Sequence, residues 1–150
     1  MEQFLQNTLQ NSQDAFQKWR KIPFEERQKY FTQLSEILNN RKQEFATIIT
    51  QEMNKPISQS VSEIEKCAAL CDYYATAKNI LKTEQVETEF QISEIHHEPL
   101  GVILGVMPWN FPFWQAIRFA VPTILAGNVI VLKHASICEK SGETMQEIFE

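Results

Sequence analysis

Glycine is absent from the first 100 residues of this 150-residue chain; all four, Gly101, Gly105, Gly127 and Gly142, come later. The first 98 residues also hold 15 of the 19 acids and 11 of the 14 bases. A charged, glycine-free stretch of that kind reads as surface helices. Basic charge is short as well. Fourteen Lys and Arg against nineteen Asp and Glu leave a net charge of −5, and without a basic patch the chain is a poor grip for nucleic acid. Cysteine is scarce. Three cannot all pair within one chain, and Cys67 and Cys71 are spaced one helical turn apart, a poor geometry for a bridge. Reduced thiols in a cytoplasmic protein are the expectation. The polar start carries no basic run ahead of an apolar stretch, so no signal peptide is expected. The one long apolar run, 99–132, has Arg118 as its single formal charge. Its four prolines, three glycines and two asparagines exclude a membrane-spanning helix. That run must be interior, either to this chain or to something larger. At 43% apolar and 22% charged the composition is that of an ordinary globular protein, and the length suits one domain.

What is present can be placed along the chain. Phe4, Leu5, Leu9, Phe16 and Trp19 predict a first amphipathic helix that ends before Pro23. Pro23 suits the first turn of a second helix, with Glu25 and Glu26 at its positive end and Tyr30, Phe31, Leu34, Ile37 and Leu38 on its apolar face. A third helix covers Phe45, Ile48, Ile49 and Met53 and stops near Asn54-Lys55-Pro56. The fourth has the clearest period, with Ile57, Val61, Ile64, Ala68, Cys71 and Ala75 in steps of four and three. Cys67 and Cys71 then read as core-side small residues. Val86 to His97 is β-rich and reads as one or two exposed strands. His96 and His97 are adjacent, so in a strand they point to opposite faces and cannot share a metal. No metal site is expected.

Val102-Ile103-Leu104-Gly105-Val106 is an apolar run without alternation, as for a strand buried on both faces. A loop, Met107 to Pro112, and a helix from about Phe113 to Leu125 follow, with Pro122 predicting a kink or an early stop. Gly127-Asn128 is a stop signal. Val129-Ile130-Val131-Leu132 is a second strand, Lys133-His134-Ala135-Ser136 a second loop, and Ser141 or Gly142 leads into a last helix. This is an α/β chain, N-terminal helices followed by one right-handed β-α-β unit of a Rossmann-like parallel sheet. Ligands of such sheets bind outside the carboxyl ends of the strands. Topology alone therefore nominates Asn110, Lys133 and Ser136. The chain contains no G-x-G-x-x-G, no G-x-x-x-x-G-K-[ST], no H-x-H and no C-x-x-C, so no phosphate-cradling glycine loop is expected here.

The segment EPLGVILGVMPWNFPFWQAIRFAVPTILAGNVIVLKHAS resembles the aldehyde dehydrogenase superfamily. P-W-N-F-P, A-G-N before a strand and V-L-K after it stand in the family's order and spacing. The likeness extends through AFQKWRKIPFEERQKYF, QEMNKP and EIEKCAALCDYYA and covers essentially the whole chain. Asn54 departs from it, standing where the family usually has glycine; asparagine also tolerates left-handed geometry. The resemblance implies oxidation of an aldehyde with NAD or NADP through a thioester on a cysteine thiolate.

Residue by residue, the resemblance makes Asn110 the amide that helps hold the oxyanion, a neutral donor facing developing charge. It makes Lys133 the contact to the adenosine ribose, and it lines the cofactor channel with Met107, Pro108 and Trp109. Trp109 could equally be a packing aromatic. Ser136 stands where many NAD-using relatives carry glutamate. Serine removes a charge that would repel a 2′-phosphate, which leans toward NADP or dual use. Arg118 occupies the helical position at which relatives that use succinate semialdehyde bind the substrate carboxylate, and NFPFWQ and LKHA also look most like that group. An arginine fork suits a carboxylate, while an internal salt bridge would serve the same buried charge.

By the same resemblance the nucleophilic cysteine and the general-base glutamate lie far downstream. Cys138, Cys67 and Cys71 do not match the nucleophile's motif. The chain then reads as the N-terminal part, residues 1–150, of a cofactor domain, with roughly 84–98 beginning an oligomerisation hairpin. The complete protein is expected to be a cytoplasmic homo-oligomer that takes a small aldehyde and has no nucleic-acid or membrane partner. A short non-catalytic product that pairs with full-length subunits is the other reading, which an intact mass of the native protein separates. One β-α-β unit cannot cover both faces of its sheet, so alone it should expose apolar surface.

Overall fold

A computed structural model describes residues 2–150. Four helices come first: α1 (Glu2–Trp19), α2 (Phe24–Asn40), α3 (Lys42–Met53) and α4 (Ile57–Thr76). A two-residue antiparallel pair follows, β1 (Glu84–Gln85) with β2 (Glu94–Ile95). The remainder is β3 (Val102–Val106), α5 (Pro112–Leu125), β4 (Val129–Lys133), a 3-10 turn at Ser136–Cys138 and α6 (Glu139–Phe149). β3 and β4 pair in parallel, Val102 opposite Val129 through Val106 opposite Lys133. The sequence thus anticipated the order of elements and the β-α-β unit. Pro23 caps α2 rather than lying inside it, and α6 begins at Glu139, earlier than Ser141.

The core lies among the helices. Phe31, Leu34 and Leu38 of α2, Phe45 and Ile49 of α3, and Ile64, Cys67 and Cys71 of α4 meet Phe113, Ile117 and Val121 of α5. The Phe45 and Phe113 rings sit 5.4 Å apart. The α3–α4 corner turns on Asn54, which adopts φ 51°, the left-handed conformation, and donates its backbone N–H to the Thr50 carbonyl. This is the geometry in which asparagine can stand for glycine.

Two motif residues explain how α5 is held against the strands. Asn128 is buried; its Oδ1 accepts the amides of Leu100 (2.7 Å) and Gly101 (3.0 Å), and its Nδ2 donates to the Thr123 carbonyl (3.1 Å). It therefore ties the entrance of β3 to the last turn of α5. Gly105 faces α5 so closely that a Cβ would overlap the Phe119 ring. Glycine is required there by approach, whereas at Gly127, with φ 94°, it is required by the backbone.

Three expectations are corrected. Of the kink or early stop expected at Pro122, the stop does not occur, and α5 continues to Leu125. Proline there removes only the bond to the Arg118 carbonyl, and the last turn closes through Ala126 N–H onto the Pro122 carbonyl. Within this chain β3 is not buried on both faces: Leu104 and Val106 are 64% and 65% exposed. Gly105 points to α5, so the alternate residues face away from it, where α1 packs chiefly against β4. Phe4, Leu5 and Leu9 of α1 are exposed also; only Phe16 of that predicted face is buried.

Candidate functional site

The site grows from the two loops at the carboxyl ends of β3 and β4. They are joined at the base by Met107 N–H, which donates to the Lys133 carbonyl at 3.0 Å. Pro108, Trp109 and Asn110 are exposed, and Met107 is half-buried. The Asn110 side chain has no hydrogen-bond partner among the described residues and lines a cleft of about 580 Å³ with Ser62, Lys66, Trp114 and Gln115.

The backbone around that free side chain is firmly held. Phe111 precedes α5 and offers no capping oxygen. The orphan amides of the first turn are taken instead by Glu63 of α4, whose Oε1 accepts from Phe113 N–H (2.9 Å) and Trp114 N–H (3.0 Å). A carboxylate at a helix N-terminus is favoured by the helix dipole. Its second oxygen pairs with Lys55, and the Lys55 ammonium lies 4.7 Å from the Phe111 ring centroid. On the other side His134 Nε2 donates to the Pro112 carbonyl (2.9 Å) while its Nδ1 accepts the Ala135 amide (2.9 Å). These two bonds together require the neutral Nε2–H tautomer. The Cys138 thiol donates to the Trp109 carbonyl at 3.6 Å.

Lys133 is exposed at the end of β4, and Ser136, also exposed, opens the turn three residues later. The structure therefore brings Met107, Pro108, Lys133 and Ser136 to one edge of the sheet. Arg118 is placed differently from its expectation. It is exposed on α5, not buried, and no carboxylate of the described residues pairs with it. Within this chain the Arg118 position of α5 stays in solvent although the residues around it pack inward. The internal salt bridge is thereby ruled out among the described residues. Arg118 lines a second cleft with Met107, Pro108 and Phe119, and Gln115 borders both clefts. Asn110 and Arg118 thus occupy neighbouring clefts rather than one.

The three thiols are buried and free. Burial pushes Cys71 up to about 12 and raises Cys67 and Cys138, the last with help from the charges of Glu52 and Glu63. Protonated, enclosed thiols are poor nucleophiles. No group of three metal-ligating side chains occurs among the described residues. His96 is exposed beside Glu94 and Thr83. No helix of the described residues is long and apolar enough to cross a membrane.

Sequence reasoning missed Glu63, Lys55, Lys66 and His134. For Glu63 a signal existed. It lies four residues before Cys67 and next to Ile64, on the apolar stripe of α4, and an acid in such a stripe needs a partner.

A parallel β-α-β pair with polar loops at its carboxyl edge is the arrangement of open-sheet α/β domains that bind small ligands there. The profile of the aldehyde dehydrogenase family matches residues 2–150, and the chain belongs to that family. It is 46% identical over 143 residues to a probable succinate-semialdehyde dehydrogenase [NADP(+)] of Synechocystis, covering 95% of this chain and 32% of that protein. With a succinate semialdehyde dehydrogenase [NAD(P)+] of Escherichia coli it shares 41% over 147 residues, 97% of this chain and 32% of the relative. The crystal structure of succinic semialdehyde dehydrogenase from Streptococcus pyogenes in complex with NADP+ superposes with a TM-score of 0.94 at 36% identity. That match covers 99% of this chain and 33% of the other. The chain thus spans about a third of the length of the relatives it matches.

Proposed function

We propose that these residues form the first part of the cofactor domain of an NAD(P)-dependent aldehyde dehydrogenase. The complete protein oxidises succinate semialdehyde to the dicarboxylic acid through a thioester on a cysteine outside this chain. The observation that carries the reading is Asn110. It is an exposed amide with no hydrogen-bond partner among the described residues, on a loop otherwise held on several sides, at the carboxyl edge of a parallel pair. A side chain left unsatisfied on an anchored backbone suits a donor waiting for a developing oxyanion.

The residues fit a nicotinamide dinucleotide. Lys133 offers an exposed ammonium at the end of β4, Met107, Pro108 and Trp109 border the approach, and Ser136 places no carboxylate beside a ribose phosphate. Such a group, when bound, supplies the hydride acceptor. The names of the relatives, NADP(+) and NAD(P)+, support the lean toward NADP. Arg118, a cation one cleft away with no carboxylate partner among the described residues, suits a distal carboxylate. Exposed Phe90, Ile92, Leu104 and Val106 support burial against further chain or a second subunit, with 84–98 as the start of an oligomerisation hairpin.

The test is the ratio of kcat/KM for succinate semialdehyde over butanal, measured on the complete protein with NADP+ and with NAD+. A ratio above about 10 is expected, since a site built around a cation penalises a substrate that leaves it unpaired. Equal values would remove the semialdehyde assignment, and absence of acid from either aldehyde would remove the oxidation itself.

A further inference from the structure

We infer that Glu63 is a positioning residue for the reaction: from α4, its carboxylate sets where Asn110 stands. The inference rests on the reading of Asn110 given above. Glu63 is 4% exposed and sits on the face of α4 that carries Ile64 and Cys67 into the core. Its location is therefore that of the core itself. One oxygen accepts the amides of Phe113 and Trp114, the third and fourth residues after Asn110. The other oxygen pairs with Lys55, which also reaches the Phe111 ring.

A serine, threonine or aspartate at position 111 would satisfy the same amides locally. It would not fix the loop to anything beyond α5. The chain has Phe111 there and buries a charge from another helix instead. Burial of a carboxylate is costly unless it is paired and fully bonded, and here its hydrogen bonds go to the first turn of the helix that follows Asn110 and to Lys55. His134 holds the Pro112 carbonyl from the opposite side. The backbone after Asn110 is thus held between α4 and the second loop, while its amide stays free. Loss of Glu63 releases the α4 side. Because a misplacement of about 1 Å can cost up to 10² in rate, the effect belongs in kcat.

The experiment is a double-mutant cycle on the complete protein, with Glu63→Gln, which keeps the side-chain shape, and Asn110→Ala. Glu63→Gln alone should lower kcat about tenfold, with KM for the cofactor within about twofold. In the Asn110→Ala background it should lower kcat by less than about twofold, because there is no amide left to position. Glu63→Asp, which keeps the charge, should recover part of the loss, and it carries the same cycle if the glutamine variant does not fold. Amide hydrogen exchange over residues 111–115 should rise in Glu63→Gln while that of α2 stays as in the wild type. Equal losses in both backgrounds, or no loss with an active wild type, would overturn the positioning role and leave the aldehyde reading standing. Unchanged exchange at 111–115 would overturn it as well. A wild-type protein that oxidises no aldehyde would overturn the functional reading first, and this role with it.

Discussion

Two asparagines of the apolar segment should respond to the same substitution in opposite ways. Asn110→Ala removes a side chain that is exposed and bonds nothing among the described residues. Its effect on stability should stay within about 0.5 kcal/mol, as for surface sites. Its effect on turnover should be large: losing an oxyanion donor costs about 10²–10³ in kcat, roughly 3–4 kcal/mol. Asn128→Ala removes three hydrogen bonds, to Leu100 N–H, Gly101 N–H and the Thr123 carbonyl. At about 1 kcal/mol for each bond, and more where a buried group is left unsatisfied, unfolding should lose about 3–5 kcal/mol. The residue bonds to neither Asn110 nor Arg118, so kcat of the folded fraction should be within about threefold of the wild type. Urea unfolding midpoints and steady-state kinetics on the complete protein read both quantities. The reasoning fails if Asn110→Ala destabilises as much as Asn128→Ala. It fails equally if Asn110→Ala leaves kcat unchanged while the chemical step limits turnover.

Other outcomes follow from the same geometry. Arg118→Leu should reduce the preference for succinate semialdehyde over butanal by about 10–100-fold, the worth of a charge-assisted bond, without loss of stability, since Arg118 pairs with none of the described residues. An unaltered ratio of kcat/KM would detach Arg118 from substrate selection. Cys67, Cys71 and Cys138 should resist iodoacetamide in the folded protein and react once it is unfolded, as peptide mass spectrometry would register. Burial raises the folded pKa of Cys71 from 9.0 to about 12. The unfolded thiol therefore loses its proton first, and stability falls as pH rises from about 9 toward 12. Above pH 9 the cost is about 1.4 kcal/mol per pH unit for one thiol. Cys71→Ala should flatten the stability curve by that slope, and parallel curves would refute the burial argument.

Much of the fold was legible because local signals agreed with one another. The three-four spacing of α4, the proline and asparagine stops at 54–56 and the two apolar runs flanking α5 each rest on short-range chemistry. The P-W-N-F-P loop stood between strand and helix by the same logic, and Asn110, Lys133 and Ser136 fell at the carboxyl edge from topology alone. Legibility ended where a contact spans distant segments. Arg118 looked buried because its sequence neighbours are apolar, but exposure depends on which face of α5 is covered, and that is a property of packing. Leu104 and Val106 were misjudged for the same reason.

Residue order by itself determined the order of helices and strands and most of their ends, the start of α6 excepted, since capping, proline geometry and hydrophobic period act over a few residues. Only the tertiary structure decided that α5 would be capped by Glu63, 50 residues earlier, and that Trp19 Nε1 would close on the Ile124 carbonyl 105 residues later. A pattern within one segment specifies which face seeks the core. It does not specify which polar group on the opposing element will meet that face, because that pairing is set by three-dimensional register, where an unpaired buried charge or amide costs more than any local preference can repay.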